Sequence, residues 1–413
     1  MVRNDLIGKR VLALVSGGLD STTIVHWLSS AGVEVTAVTV DLGQPDEPDL
    51  SAIPARMKAA GAADAFLLDG KERLAEYMLQ VIHGMAYHEG GYWNTTGIAR
   101  MAAVATVLPV IRERKIDVVT HGATGRGNDQ VRFELALAML EPRVRVYAPW
   151  RDPEFTEALG GRRLMIEYCR RHGLNVTATE EKPYSTDANF CGLTHEAGKL
   201  ESLSTPTDFV EFKMGVSPMQ APDRMEEVTV EWEMGVPVRV NEQPLGLVEV
   251  FQTLNEIAGR NGVGIGIDAV ENRRIGIKSR GVYESPGVTL LGILYDRLLQ
   301  LILDRSHRKF FEIVSRQLAD VVYEGEWFSP LAASLLQVTE RVAQFATGKL
   351  KVGLYKGNVR FLAVTDVPHS LYDEEGASME KIGELRHEWA QGYLELADYV
   401  ARGMADAGLT RKP

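Results

Sequence analysis

The chain has 413 residues, of which 45% are hydrophobic and 24% are charged, as is ordinary for a globular protein of two or three domains. Its formal net charge of −11 argues against DNA or tRNA, so we expect no nucleic-acid partner. An apolar run of about 18 residues and a secretory signal are both missing, and the two cysteines, Cys169 and Cys191, have no zinc spacing. We therefore expect no membrane partner and no protein-built metal site, and we predict a cytoplasmic location.

The first part of the chain alternates strand-like and helix-like segments. This alternation predicts a doubly wound α/β domain over residues 1–178, with a parallel sheet and helices on both faces. The predicted strands are 11–15, 33–40, 65–68, 117–120 and 144–148, and the predicted helices are 22–31, 50–60, 73–85, 99–115, 129–140 and 162–172. Ligands of such sheets bind at the carboxyl ends of the strands.

A glycine-rich turn, Ser16-Gly17-Gly18-Leu19-Asp20-Ser21, joins the first strand to the first helix. The N–H groups that begin a helix have no partner within it, and the helix dipole favours an anion there. The two glycines would let the backbone approach the anion, and the hydroxyls of Ser16, Ser21 and Thr22 could add hydrogen bonds. The turn lacks the lysine of the P-loop, yet its composition predicts a phosphate site rather than a plain turn.

A second motif, the fourteen residues from His121 to Glu134, also follows a strand and opens a helix. Its three glycines predict backbone amides that face an anion or a nucleobase. Taken singly, Asn128 and Asp129 are explained by capping of the helix, but capping does not account for the whole string. We expect His121 to pack or cap rather than to act as a base.

The composition shifts near residues 180–183, and a mixed α+β domain is predicted over residues 179–375, followed by a helical tail over residues 376–413. The predicted strands are 227–233, 236–240, 349–355 and 358–365, and the predicted helices are 248–258, 289–311, 311–322 and 378–407. Loops are predicted for residues 203–223 and 259–281.

These motifs resemble those of the argininosuccinate synthase family over residues 10–375, and the first turn is similar to the pyrophosphate-binding loop of N-type ATP pyrophosphatases. Besides the two loops, the matching segments are Ala148-Pro149-Trp150-Arg151, Lys182-Pro183-Tyr184-Ser185, Val270-Glu271-Asn272-Arg273, 276–284, 354–358 and Ser370-Leu371-Tyr372.

The resemblance implies an ATP pyrophosphatase-like domain, a synthetase and oligomerisation domain, and an AMP-forming C–N ligase. ATP, with Mg²⁺, would adenylylate the ureido oxygen of citrulline, and the amine of aspartate would then displace AMP. It also implies a homo-oligomer, with a tetramer expected, and catalytic roles for Asp20, Asp129 and Arg132.

The resemblance also assigns binding residues. They are Ser16, Gly17, Gly18, Asp20, Ser21, Val40 and Gly122 for ATP; Thr124, Asn128 and Asp129 for aspartate; and Tyr92, Asn128, Arg132, Ser185, Thr194, Glu271 and Tyr283 for citrulline.

Plain structural roles compete with some of these assignments. Arg132 could pair with Glu134 or another surface acid instead of a ligand carboxylate, and Glu271 could pair with Arg273 or Arg274 instead of a ligand ammonium. Tyr92 and Tyr283 could simply fill half-buried surface.

Departures from the family pattern concentrate near the acceptor pocket. Thr95 replaces a glycine, Gly97 replaces a small residue, Ala188 replaces a carboxylate and Thr194 replaces a serine. The segment 262–268 is one residue longer than in the family and lacks its arginine. The nucleotide loops keep the family pattern. The resemblance therefore supports ATP first, aspartate next and citrulline least as substrates.

Three other functions are open. The first is the same ligation on a different ureido or amide acceptor. The second is RNA modification, which would require paired cysteines and a basic surface. The third is metabolite binding without catalysis.

Overall fold

The computed structural model describes residues 3–47, 49–125, 127–176, 183–380 and 386–411. In the first part of the chain, strands alternate with helices as predicted. In chain order they are β1 (Arg10–Leu14), α1 (Leu19–Ser29), β2 (Glu34–Asp41), α2 (Ile53–Ala59), β3 (Asp64–Asp69), α3 (Lys71–His83), α4 (Thr95–Glu113), β4 (Val118–His121), α5 (Asp129–Leu140), β5 (Arg145–Tyr147), α6 (Pro153–Leu159) and α7 (Arg162–Arg171). The predicted doubly wound α/β fold is confirmed.

The strands form one parallel sheet in the order β3-β2-β1-β4-β5. Leu14, at the end of β1, pairs with Val38 of β2 on one side and with His121 of β4 on the other. The chain therefore winds away from β1 in both directions, and a crevice opens where β1 and β4 end. Parallel sheets bind ligands at such a switch point.

Both faces of this sheet are buried, which explains the nearly continuous apolar sequence of its strands. On one face, Val11 and Ala13 of β1 pack in a cluster with Cys169 of α7. On the other face, Leu12 packs in a second cluster that includes Val104 of α4. The second cluster continues into the later part of the chain, so the two parts share one core.

The later part combines antiparallel sheets with helices. Its elements are β6 (Ser185–Asn189), β7 (Gly192–Glu196), β8 (Glu226–Glu233), β9 (Val236–Val240), β10 (Gln243–Pro244), α8 (Leu247–Arg260), β11 (Ile265–Asn272), β12 (Lys278–Glu284), α9 (Pro286–Ile302), α10 (Arg305–Glu324), α11 (Pro330–Ala343), β13 (Gly348–Tyr355), β14 (Asn358–Thr365) and α12 (Trp389–Asp406). One sheet has the order β11-β12-β7-β6, and the other has the order β10-β9-β8-β13-β14.

The prediction of a loop over residues 259–281 is wrong, because β11 and the start of β12 lie there. Gly266 is an extra residue of β11: Ile265 and Ile267 pair with the consecutive residues Glu284 and Tyr283. Gly266 has φ +73°, so the longer segment is accommodated by a glycine β-bulge.

The predicted division of helices at Phe311 is also wrong. The chain instead breaks between α9 and α10, where Asp304 Oδ1 accepts the N–H groups of Ser306 and His307 at 2.8 and 3.2 Å. This is an N-cap that the continuous apolar spacing concealed. The strands β6 and β7 and the helices α6 and α11 were not predicted either. The predicted loop over residues 203–223 is confirmed apart from a short 3₁₀ turn at Thr207–Phe209.

The tail helix begins eleven residues later than predicted, at Trp389, although residues 381–385 of the predicted span lie outside the described residues. No residue of α12 is buried. In the described part of the chain, none of the helices has the length and apolarity needed to cross a bilayer. The predicted domain boundary at residues 178/179 lies outside the described residues and stays a prediction.

Candidate functional site

The ends of β1, β2 and β4 open into a cavity of about 640 Å³, which β6, β7, β11 and β12 close from the other side. Nearly all of the predicted site residues line this cavity: Ser16, Gly18, Asp20, Ser21, Val40, Tyr92, Gly122, Thr124, Asn128, Asp129, Arg132, Ser185, Thr194, Glu271 and Tyr283. Gly17 is the one predicted residue that is not part of the lining. Predicted site residues that are far apart in the sequence therefore line one cavity. The ligand roles of these residues stay predictions.

The turn after β1 is held by its own side chains. The Ser16 N–H donates to Ser21 Oγ at 2.9 Å, and the two hydroxyl oxygens lie 3.3 Å apart. Gly18 is the N-cap of α1 and offers no side chain, so the first N–H groups of the helix remain available to an anion. The Thr22 hydroxyl donates to the Gly18 carbonyl at 3.0 Å, so the prediction that it adds a ligand bond is not supported.

The two glycines of the turn have different surroundings. Gly17 has φ +79°, and a Cβ there would lie 2.7 Å from Cγ1 of Ile53 in α2. Its carbonyl accepts a hydrogen bond from Arg56 Nη1 at 3.3 Å. Packing against α2 therefore requires glycine at position 17. A Cβ on Gly18 would have one neighbour within 4 Å, the Ser16 hydroxyl at 3.7 Å, so the backbone of Gly18 is open to the cavity.

Asp20 lies in the first turn of α1 and lines the cavity. Burial raises the pKa of its carboxyl, although Trp150 Nε1–H donates to Oδ1 at 3.2 Å and opposes that shift. Trp150 belongs to the matching segment 148–151, for which we predicted no role. A partly desolvated carboxylate beside the free N–H groups that begin α1 is suited to a cation that offsets its charge.

An ionic array crosses the middle of the cavity. The carboxylate of Asp129 accepts from Arg100 at 2.8 and 3.1 Å and from Arg132 Nη1 at 3.0 Å. Arg100 also binds Asp187. Burial alone would raise the pKa of Asp129, but the two guanidinium groups lower it to about 2. Asp129 is therefore a firmly ionised carboxylate that fixes two arginines.

Arg100 and Asp187 were missed by the predictions. Arg100 is the one charged residue in the first seventeen positions of α4, whose other side chains there are apolar or small. A charge in an otherwise apolar helix is a usable signal, because charged residues are seldom buried without a partner. Burial and the neighbouring Asp129 raise the pKa of Asp187.

A cluster of tyrosines surrounds Glu271 at the end of the cavity. The rings of Tyr92 and Tyr283 stack with centroids 3.9 Å apart. Glu271 accepts hydrogen bonds from Tyr283 and, at 2.7 Å, from the hydroxyl of Tyr323. Glu271 is 5% exposed, and the two tyrosine hydroxyls supply the hydrogen bonds that its buried carboxylate needs.

The acids and arginines named as alternatives make other contacts. Glu134 binds Arg151 rather than Arg132. Arg273 lies 3.6 Å from Glu196, whereas Glu271 is bonded to tyrosines. Arg132 pairs instead with another acid, Asp129 at 3.0 Å, and the ligand roles of Arg132 and Glu271 stay predictions.

The remaining acceptor positions are held by strand pairing and short polar contacts. Thr194 Oγ1 lies 2.8 Å from Thr96 Oγ1, and the Thr96 N–H donates to the Tyr92 hydroxyl at 3.0 Å. Asn128 occupies the N-cap position of α5, but its side chain does not cap the helix. Its Oδ1 instead accepts the N–H of Arg274 at 2.9 Å.

His121 packs as predicted, with its ring stacked on Phe133 at a centroid distance of 5.1 Å. Its Nδ1 accepts the Ala123 N–H at 3.2 Å, so the proton of the neutral ring lies on Nε2. Burial lowers the pKa of His121 to about 4, and Arg151 adds to this shift. The ring is therefore neutral at pH 7 and does not act as a cationic acid there.

This shift predicts a pH dependence of stability. Between pH 6.5 and 4 the unfolded chain binds a proton at His121 and the folded chain does not, so stability falls as the pH falls through this range. Wild type should lose up to about 3 kcal/mol more than His121→Gln between pH 7 and pH 4. Urea unfolding at stepped pH measures the difference, with His387→Gln, at an exposed position, as the control. Parallel profiles for wild type and His121→Gln would contradict this prediction.

Comparisons with known proteins agree with this architecture. Residues 9–175 match the family model of the arginosuccinate synthase N-terminal HUP domain, and residues 184–402 match that of the arginosuccinate synthase C-terminal domain. The argininosuccinate synthase of Rhodopirellula baltica is 43% identical over 399 residues, which cover 95% of this chain and 97% of that protein. The argininosuccinate synthase of Aquifex aeolicus is 43% identical over 373 residues, which cover 90% and 91% of the two chains.

The two family models and the named relatives place the protein among enzymes of the ligase class. The chain belongs to the argininosuccinate synthase family. The family activity is thereby supported, and ATP as a substrate is consistent with it.

Proposed function

We propose that the protein joins L-aspartate to the ureido carbon of L-citrulline and converts ATP to AMP and pyrophosphate. The observation that carries the proposal is the single cavity. It joins an anion-binding turn, an arginine–aspartate array and a carboxylate held by tyrosines. These three parts match a nucleotide phosphate, an amino-acid carboxylate and an amino-acid ammonium group.

The phosphates of ATP would bind at the turn after β1. Ser16, Gly18 and Ser21 supply hydroxyl and N–H donors at the start of α1, while Val40 and Gly122 would border the adenosine. Val40 is 7% exposed and Gly122 approaches Asp20 closely, with a Cβ position 3.4 Å from the Cβ of Asp20.

Asp20 fits the requirements of Mg²⁺, which binds through one or two carboxylates together with substrate phosphates. In the described residues, no group of three or more His, Cys, Asp or Glu side chains is arranged to hold a metal ion. When bound, Mg²⁺ would neutralise charge on the phosphates as pyrophosphate leaves. The protein's own part is the placement of the Asp20 carboxylate by Trp150.

The acceptor would be recognised by its two charges. Arg132 uses Nε and Nη1 in bonds to the protein, so one nitrogen of its fork remains for the α-carboxylate. Glu271 would bind the α-ammonium group, with Tyr92 and Tyr283 along the carbon chain. Ser185 and Thr194 line the same end of the cavity.

The donor aspartate would bind near the loop after β4, with Thr124 and Asn128 as partners for its polar groups. Asp129 begins α5, directly after this loop. Its pKa of about 2 makes it a poor proton acceptor. We assign Asp129 to holding Arg100 and Arg132 in place rather than to general base catalysis.

The reaction then has two steps. The ureido oxygen of citrulline attacks the α-phosphorus of ATP, a P–O bond breaks and pyrophosphate leaves. The amine of aspartate attacks the activated carbon, the C–O bond to AMP breaks, and the amine releases a proton. Binding all three substrates in one cavity supplies proximity, which can contribute about 7–11 kcal/mol in well-oriented cases.

A second candidate is the same ligation on another ureido compound. Ala188, which replaces a family carboxylate, lines the cavity, and the Thr194 hydroxyl is already bonded to Thr96. A Cβ on Gly97 would lie 3.2 Å from the Val322 carbonyl oxygen and 3.5 Å from Arg132 Cζ. These departures alter the surroundings of the acceptor and leave the phosphate turn unchanged.

The deciding experiment measures release of AMP, ADP and pyrophosphate from ATP and aspartate, with and without citrulline. AMP release that requires citrulline supports the proposal. AMP release that requires another ureido compound supports the second candidate. Release of ADP, or ATP binding without turnover for any acceptor, contradicts both.

We also propose that copies of this chain associate, with a tetramer as the expected state. The support is α12, where Trp389, Tyr393, Leu396 and Val400 form an apolar face with each side chain at least 58% exposed. Such a face is typical of helices that pack against another helix. Sedimentation velocity of the full chain measures the state, and a monomer would contradict the proposal. The cytoplasmic location stays a prediction.

A further inference from the structure

Tyr323 is in contact with both charged groups that would recognise the acceptor. Its hydroxyl donates to Glu271 Oε2 at 2.7 Å, and its main-chain carbonyl accepts from Arg132 Nε at 3.0 Å. Glu271 lies on β11 in the later part of the chain, and Arg132 lies on α5 in the first part. Tyr323 of α10 therefore links Glu271 to Arg132.

The surroundings of Tyr323 hold it firmly. The side chain is 2% exposed, and its ring stacks on His88 with centroids 3.9 Å apart and planes 15° apart. The Arg132 guanidinium carbon lies 5.2 Å from the centre of the same ring. Burial, together with the Glu271 carboxylate, raises the pKa of Tyr323, so the phenol keeps its proton and donates it to Glu271.

The end of α10 fits closely against Arg132. Gly325 ends the helix with φ +83°, and a Cβ there would lie 2.8 Å from Arg132 Cα and 3.0 Å from Arg132 Cγ. Two residues of the same turn, Glu324 and Glu326, bind Arg274, whose N–H donates to Asn128. The turn is therefore held both against α5 and against the segment that follows β11.

We propose that Tyr323 is a positioning residue that sets the spacing between Glu271 and Arg132, and thereby the affinity for the zwitterionic end of the acceptor. Tyr323 does not line the cavity, so it acts through these two residues and not by touching the substrate. The inference rests on the proposed function, which assigns the acceptor's ammonium group to Glu271 and its carboxylate to Arg132.

The test compares Tyr323→Phe with Tyr295→Phe. Tyr323→Phe keeps the ring stack and the main-chain bond to Arg132 and removes the hydroxyl, which bonds to Glu271 and also interacts with the Asn128 side chain. Tyr295 is fully buried in the core, and among the described residues its hydroxyl has no hydrogen-bond partner. Both variants lose one buried hydroxyl, and only one of those hydroxyls contacts Glu271.

The expected result is selective. Tyr323→Phe should raise the KM for the acceptor about tenfold, which corresponds to about 1.4 kcal/mol. The KM for ATP should stay within about twofold, because the turn after β1 does not contact Tyr323. Tyr295→Phe should leave the KM values for all three substrates unchanged. An unchanged acceptor KM in Tyr323→Phe, or an equal rise for all three substrates, overturns the inference.

A structural measurement separates this inference from the proposed function. If wild type shows no turnover with citrulline, the proposed function fails. Ligand-free crystal structures of both variants then test whether Tyr323 positions Glu271 and Arg132. Displacement of the Glu271 carboxylate in Tyr323→Phe alone supports a positioning role. Retention of the wild-type positions of Glu271 and Arg132 in that variant overturns it.

Discussion

Asp20→Ala should lower turnover by a factor on the order of 10³ or more, because it removes the carboxylate nearest the phosphate turn. The same change should not lower the melting temperature. Burial raises the pKa of Asp20, so its ionised form is held at a cost to stability that alanine relieves. Steady-state AMP release and thermal unfolding of the same preparation measure the two effects.

The matched control is Asp64→Ala. Asp64 is the first residue of β3, the edge strand of the sheet, so it lies at the end of the strands away from the cavity. It binds Arg114 at 2.8 Å and Lys58 at 3.3 Å. This variant should retain turnover. Near-normal rates in Asp20→Ala, or equal losses in both variants, would count against a role for Asp20 at the phosphates. Asp20→Asn should resemble the alanine variant, since its amide oxygen can still accept from Trp150 but carries no charge.

Arg132→Lys should raise the KM for the acceptor about a hundredfold and change the KM for ATP by less than about threefold. Arg132 is 5% exposed, and its fork binds Asp129 and the Tyr323 carbonyl at the same time. A lysine ammonium is a point charge that cannot reproduce this planar arrangement. The unpaired Tyr323 carbonyl should also cost about 1–3 kcal/mol of stability.

Arg112→Lys serves as the control, because Arg112 also binds a carboxylate, Glu141 at 2.8 Å, but lies outside the cavity. It should leave all KM values unchanged. If Arg132→Lys weakened ATP and the acceptor equally, Arg132 would be a structural residue and not a specific carboxylate ligand. Isothermal titration with ATP alone and with the acceptor alone distinguishes these results.

Elements whose structure depends on neighbouring residues could be predicted from the sequence. The bounds of α5, Asp129–Leu140, are those predicted, because the loop before it and the apolar spacing within it agree. The strand, glycine turn and helix around residues 16–21 were predicted for the same reason: an apolar run, two glycines and a helical pattern follow one another. Such signals need no knowledge of distant residues.

Long-range contacts explain most of what sequence reasoning missed. Tyr323 is 191 positions from Arg132, and nothing in the amphipathic pattern of α10 distinguishes it from a core residue. β11 was assigned to a loop because residues 259–281 are polar and rich in glycine and arginine, which is typical of loops. Its strand conformation comes from pairing with β12, which is a tertiary contact.

The bulge at Gly266 lets this part of the chain change length without disturbing the chemistry beyond it. Inserting one residue in a regular strand sends every later side chain to the opposite face. In β11 the extra residue is confined between Ile265 and Ile267, and from there Glu271 keeps its place opposite Ser279 of β12. Evolution can therefore lengthen or shorten the entrance to this strand while the carboxylate stays on the side that faces the tyrosines.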